Sequence, residues 1–246
     1  MTEESIIKPK PVKGVETENA LYIPCDSESG LIRKILKGKA QRFKPSVFGD
    51  FYFMPGRVIL YGCMGSPLAV ISLERLIVSG VKNIILLGFC GSLDPAIRIL
   101  DAMSITKSYS EEGTSPHYFP HKKSFIPSTL LKNHIENEWK RKKLLFSEAA
   151  IVTTDAPFRE TKTWLSRQKK KQIQLVDMET SAVFALANYH KIRSAALMLV
   201  SDEVSHQEWK AGFRSKDFDH KIETYFLPFL LSNLIPPIVY QEGVKP

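Results

Sequence analysis

Short apolar runs that end in glycine or an acid recur along this chain, separated by segments of helical period. Residues 57–61 lead into Gly62-Cys63-Met64-Gly65-Ser66-Pro67, and residues 83–87 into Gly88-Phe89-Cys90-Gly91-Ser92-Leu93. Runs of this length bounded by turn residues read as buried strands, whereas apolar positions at helical spacing read as helices. Strands are predicted at 20–24, 57–61, 83–87, 102–107, 148–153 and 194–200. Helices are predicted at 68–78, 128–142, 183–189 and 217–232. The alternation predicts one α/β domain, a mixed central sheet with helices on both faces. Its span is residues 20–246, after a flexible N-terminal arm over residues 1–19. A chain of 246 residues buries a substantial core as a single unit.

In such sheets ligands gather beyond the carboxyl ends of the strands. Cys25-Asp26-Ser27 follows the first predicted strand, and the two Gly-bearing motifs follow later ones. Glycine lets backbone approach a ligand, and amides at a following helix start can hold an anion. Val176-Asp177-Met178-Glu179 then opens a helix, and Val200-Ser201-Asp202-Glu203 closes the next strand. A carboxylate at a helix start and another at a strand end converge on one pocket. That pairing suits a sugar-binding Glu179 beside an Asp202 that protonates a leaving group. Each has a plainer reading, Glu179 as an acid favoured by the helix dipole and Asp202 as a turn cap.

Charge and cysteine usage narrow the class. The formal charge is +8, but Lys and Arg are scattered. Their densest cluster, Arg167 to Lys171, reads as the solvated face of a helix–loop connection rather than a nucleic-acid groove. Three cysteines are too few for a disulfide framework and point to a reduced, cytoplasmic setting. No apolar run is long enough to span a bilayer, and the polar start does not read as a secretory leader. Cys25, Cys63 and Cys90 all fall at predicted strand ends. No metal site is implied, since no fourth ligand stands at a suitable spacing. Small buried hydrophobes are the cysteines' plainer reading, yet thiol modification is expected to inhibit, with protection by ligand.

In order along residues 20 to 230 stand Gly62-Cys63-Met64-Gly65, Gly88-Phe89-Cys90-Gly91, Glu112-Gly113-Thr114-Ser115-Pro116-His117-Tyr118, Thr153-Thr154-Asp155-Ala156, Val176-Asp177-Met178-Glu179 and Val200-Ser201-Asp202. This ordered set resembles the nucleoside phosphorylase superfamily, which includes purine nucleoside and uridine phosphorylases and related nucleosidases. The resemblance implies cleavage of a nucleoside N-glycosidic bond by phosphate, giving a free base and ribose 1-phosphate. Inorganic phosphate is then the co-substrate, with no other cofactor. It implies Glu179 as acceptor of ribose hydroxyls, Met178 as the apolar contact under the sugar, and Cys90 and Gly91 as pocket lining. Asp202 becomes the acid assisting departure of a purine, and Arg214, one position out of the family's spacing, the cationic residue that supports it. Phe158 lies near the family's base-stacking aromatic, and His117 contacts a sugar hydroxyl or caps its loop. The partners implied are small molecules and further copies of the chain, as a homo-oligomeric dimer or hexamer.

The match departs from the family at the phosphate. Leu86 and Phe89 stand where bacterial hexameric phosphorylases place an Arg and a Ser or Thr. Gly65, Arg33, and Arg42 from a neighbouring subunit are the remaining phosphate candidates. Burying an anion without a cation is costly, so three alternatives stay open. One is a nucleosidase in which Glu28 positions water. Another is a uridine phosphorylase, suggested by the Glu112 to Tyr118 segment. The third is a nucleoside-binding protein without turnover.

Overall fold

The computed structural model describes residues 5–205 and 209–231. The predicted helix end at Ser232 lies outside the described residues. In chain order the elements are β1 (Asn19–Ile23), α1 (Leu31–Lys39), β2 (Arg42–Lys44), β3 (Asp50–Met54), β4 (Arg57–Tyr61), α2 (Ser66–Ile77), β5 (Asn83–Ser92) and β6 (Ala102–Glu111). They continue with α3 (Ser115–Tyr118), β7 (Ser124–Phe125), α4 (Thr129–Arg141), β8 (Ser147–Thr154), a single 3₁₀ turn (Pro157–Arg159), α5 (Lys162–Lys170) and β9 (Leu175–Asp177). The last are α6 (Thr180–Tyr189), β10 (Arg193–Glu203), β11 (Lys210–Ala211), α7 (Lys216–Tyr225) and α8 (Leu227–Leu231).

All the strands join one mixed sheet with the order β11-β10-β6-β8-β9-β5-β1-β4-β3-β2, and β7 pairs with β6. Strand β5 also pairs in parallel with β10, so β5, β10, β6, β8 and β9 close on themselves while β1 to β4 extend outward. Alternation along the strands sorts side chains to two layers. Ile84, Leu86, Ala196, Met198 and Val200 join α2 and α6 in one core. Ile85, Leu87, Ala195, Leu197 and Leu199 join α1, α4, α7 and α8 in the other. Strands buried on both faces read as near-continuous apolar runs, which is why β4 and β10 were visible in sequence.

The segment ahead of β1 lies against the domain. Val12 is buried, and its N–H bonds the Ser79 hydroxyl at 2.8 Å. The amides of Lys82 and Asn83 both reach the Glu18 carbonyl. The basic cluster behaves as expected of a solvated helix. Glu111 accepts from the Trp164 indole at 2.7 Å and pairs with Arg167 and Lys171. Among the described residues no helix is long and apolar enough to cross a membrane.

Candidate active site

The site forms where β1, β4, β5 and β10 end. After β4 the chain passes through Gly62 and Gly65, both at positive φ (81° and 92°), a conformation that glycine adopts without steric cost. This turn aims the start of α2 at the β9–α6 junction, and the two are tied twice. The Gly65 N–H donates to Glu179 Oε1 at 2.6 Å, and the Ser66 hydroxyl to the Met178 carbonyl at 2.7 Å.

Two acids stand at the start of α6, and they do different work. Asp177 Oδ2 accepts from the Thr180 N–H and hydroxyl, and Oδ1 from the Thr153 hydroxyl. It therefore serves as the cap. Glu179 makes no capping bond and turns across to Gly65 beside Cys25 and Tyr22. Burial, and next the Asp177 charge, push the Glu179 carboxyl up to about 8. Glu179 thus ties α2 to the β9–α6 junction, and among the described residues no ion pair neutralises it. Met178 is half-buried next to it.

Asp202 lies across Gly91. The β10 register slips at Ser201, so that Val200 faces Cys90 while Asp202 faces Gly91. On its other side Gly91 faces Val176 of β9. A side chain at Gly91 would meet Val176 Cγ1 at 3.0 Å and Asp202 Oδ2 at 3.1 Å. Gly91 thus spaces the Asp202 end of the site from the Met178–Glu179 end. Asp202 accepts from the Ser201 hydroxyl at 2.7 Å and from the Trp209 indole N–H at 2.8 Å. Glu160, half-buried just after the 3₁₀ turn, completes this end. Burial and then the Asp202 charge push its carboxyl up to about 7.

Several expected residues are placed differently. Arg214 pairs with Glu28 at 3.3 Å, both exposed, while Asp202 takes its hydrogen bonds from Ser201 and Trp209. Glu28 is accordingly held at the rim by a cation. Phe158 is fully exposed on the 3₁₀ turn, because Pro157 opens the turn and leaves Phe158 on its outer face. His117 is exposed on the short α3; its neighbour Tyr118 donates to Glu74 at 2.8 Å. Arg42 belongs, within its own chain, to the opposite end of the sheet. It donates to the Gly14 carbonyl at 2.7 Å and covers the Phe53 ring at 4.0 Å, beside a cleft of about 290 Å³.

The Gly65 amide is occupied by Glu179. Leu86 is fully buried, and Phe89 packs against Phe218 and Phe226 at 4.8 and 6.0 Å. Both belong to the core layers. Asp26 caps α1, accepting from the Ile32 and Arg33 amides at 3.1 and 2.8 Å and from the Tyr61 hydroxyl at 3.0 Å. Arg33 stays at the rim with its guanidinium 5.3 Å from the Tyr61 ring centre.

Burial acts on all three cysteines in the same direction. It pushes Cys25 up to about 12 and Cys63 up to about 11, and raises Cys90 well above its ordinary value. Such thiols carry little thiolate at neutral pH; Cys63 and Cys90 sit in the apolar core, while Cys25 is part-exposed.

Glu160 and Trp209 are the residues that sequence reasoning missed. Arg159-Glu160 reads locally as an ordinary surface pair. Trp209 is brought back only by the β10–β11 pairing, which sets Lys210 opposite Glu203 and Ala211 opposite Asp202.

Residues 28–224 match the family model of the phosphorylase superfamily, and the chain belongs to that family. Relatives include an uncharacterised protein of Acanthamoeba polyphaga mimivirus, 28% identical over 197 residues, covering 78% of this chain and 76% of the relative. A DeoD-type purine nucleoside phosphorylase of Mycoplasma genitalium is 29% identical over 160 residues, covering 63% of this chain and 67% of that one. The fold is also that of a solved purine nucleoside phosphorylase from Toxoplasma gondii in complex with immucillin-H. That match has a TM-score of 0.65 at 18% identity, over 76% of this chain and 78% of the other.

Proposed function

We propose that the chain cleaves the N-glycosidic bond of a purine nucleoside, with inorganic phosphate as acceptor, releasing the base and ribose 1-phosphate. The observation that carries this reading is the disposition of Glu179 and Asp202. Glu179 is buried and makes no capping bond to its own helix, and Asp202 stands across Gly91, where an added Cβ would lie 3.1 Å from its Oδ2. Glu179 accepts hydrogen bonds from neighbouring ribose hydroxyls, as a carboxylate with two oxygens can. Those bonds favour its ionised form, so ribose binding at neutral pH displaces a proton from it. As the glycosidic bond lengthens the sugar becomes cationic and the base gathers negative charge. Asp202 donates a proton to the departing purine, a contribution of typically 10²–10⁴-fold. Glu160 stands beside Asp202 as a second carboxyl whose proton titrates near neutrality.

A second reading, hydrolysis, is favoured by one observation: the Gly65 amide is taken by Glu179, and Leu86 and Phe89 are core residues. The discriminating measurement is base release from inosine, guanosine, adenosine, methylthioadenosine and uridine, with and without inorganic phosphate. Release that requires phosphate and yields ribose 1-phosphate is expected. Equal release without phosphate replaces phosphorolysis by hydrolysis, and faster release from uridine overturns the purine assignment.

A further inference from the structure

Of the three tryptophans, Trp139 and Trp164 are buried while Trp209 is 61% exposed. Its place is set by backbone. Strand β11 folds back on β10 in fixed register, and the Gly212 N–H donates to the Ser201 carbonyl at 2.7 Å. A side chain at Gly212 would come within 2.2 Å of Ile99, which leaves no room for bulkier residues at this crossing. The residue ahead of Lys210 is therefore delivered to Asp202, and the indole Nε1 lies 2.8 Å from Oδ2. Phe213 stands 6.1 Å from the ring, tilted by 43°. Glu160, carried just after the turn that exposes Phe158, lies close enough to feel the Asp202 charge.

We propose that Trp209 is the positioning residue of Asp202 and the aromatic face that meets the leaving base, an inference that rests on the purine-nucleoside reading. An indole N–H is a donor without charge or acceptor capacity. It orients the carboxylate without bringing the formal charge of a guanidinium. Each carboxylate oxygen retains a further lone pair, on which the proton passed to the base is held. The cation expected at this position, Arg214, is paired with Glu28 instead. A large apolar ring left open to water beside a catalytic acid is also a surface that a flat heterocycle covers well.

The test uses the full-length protein, its Trp209→Phe and Asp202→Asn variants, and inosine as probe. Under indole-selective excitation, inosine is expected to quench the wild-type emission saturably, and this signal is expected to vanish in Trp209→Phe while calorimetry still records binding. Phenylalanine keeps an aromatic face but lacks the N–H. Its kcat is expected to fall about tenfold with KM changed by no more than about threefold. Losing a donor to the ionised carboxylate favours the protonated acid, so the basic limb of the kcat–pH profile moves to higher pH. Without ligand, Trp209 emission is expected to titrate with pH in the wild type and to lose that titration in Asp202→Asn. Binding of inosine with no change in wild-type emission would overturn the base-facing role. An unaltered pH limb in Trp209→Phe, or identical emission titrations in wild type and Asp202→Asn, would overturn the positioning role. If calorimetry shows no nucleoside binding at all, the purine reading and the base-facing role fall together, and the ligand-free titration still decides the Trp209–Asp202 contact.

Discussion

Asp177 and Glu179 have the same charge, stand two residues apart, and are told apart only by what they touch. Capping by Asp177 releases Glu179 for the site, and the Gly65 amide aims it. At Asp202 the surroundings set the chemistry in the same way. Trp209 and Ser201 donate to it, while Glu160 adds a like charge beside it. Asp202→Asn cannot deliver the proton, and turnover on a purine nucleoside is expected to drop by about 100-fold or more with KM little changed. Steady-state kinetics check this, and an unaltered kcat would remove Asp202 from the chemistry. Glu160→Gln takes away a neighbouring negative charge, which makes ionisation of Asp202 easier. The basic limb of the kcat–pH profile is expected to move to lower pH, opposite in sign to the shift expected of Trp209→Phe. A profile superimposable on the wild type would show that Glu160 does not act on Asp202.

At the scale of elements, the site depends on close approach between β5, β9 and β10. Gly91 sits between the last two, with Val176 Cγ1 and Asp202 Oδ2 about one atomic contact from where a methyl would go. Gly91→Ala forces one of them aside by a few tenths of an ångström. Overpacking of this kind costs about 1–3 kcal/mol, and a displaced acid costs rate as well. Thermal unfolding and kinetics are expected to show both losses together; loss of stability with full activity would mean that Asp202 tolerates the displacement. Elements of this kind were unevenly legible in the sequence. Strand β4 and helix α6 announce themselves as nearly continuous apolar runs because they are buried on all sides, and α2 and α4 by apolar positions at helical spacing. Strands β9 and β11 have three and two residues and no period to read, yet they carry Asp177 toward Glu179 and Trp209 toward Asp202. Helix α1 was missed because its N-terminus is capped from Asp26, with Gly30 at the cap position itself. Arg214 found Glu28, from the other end of the chain, through tertiary proximity that local spacing does not encode.

For the whole molecule, the buried acids make folding itself depend on pH, with two groups of opposite sign. Hydrogen bonds from Ser115, Ser110 and Thr114 outweigh burial at Glu112 and hold its carboxyl below its ordinary value. Gln168, Trp164 and nearby cations do the same for Glu111, as His190 and Tyr118 do for Glu74. These groups add stability above the unfolded carboxylate range, and lose it as pH falls through their lower folded values. Glu160 and Glu179 act in reverse. Burial raises them to about 7 and about 8, against about 4.3 for glutamate in an unfolded chain. Between those limits the folded state binds more protons than the unfolded one, so stability declines as pH rises from about 5 to about 8. The slope is at most about 1.4 kcal/mol per pH unit for each proton. The ligand-free protein is therefore expected to be most stable near pH 5 rather than at neutrality. Glu179→Gln keeps the side chain's shape while removing the charge, and is expected to raise the melting temperature at pH 8 with little effect at pH 5. Melting curves of both proteins across that range measure the difference directly. Parallel pH dependences in the two would mean that Glu179 is not the buried charge that the folded chain carries at a cost, and its reservation for a ribose would lose its energetic argument.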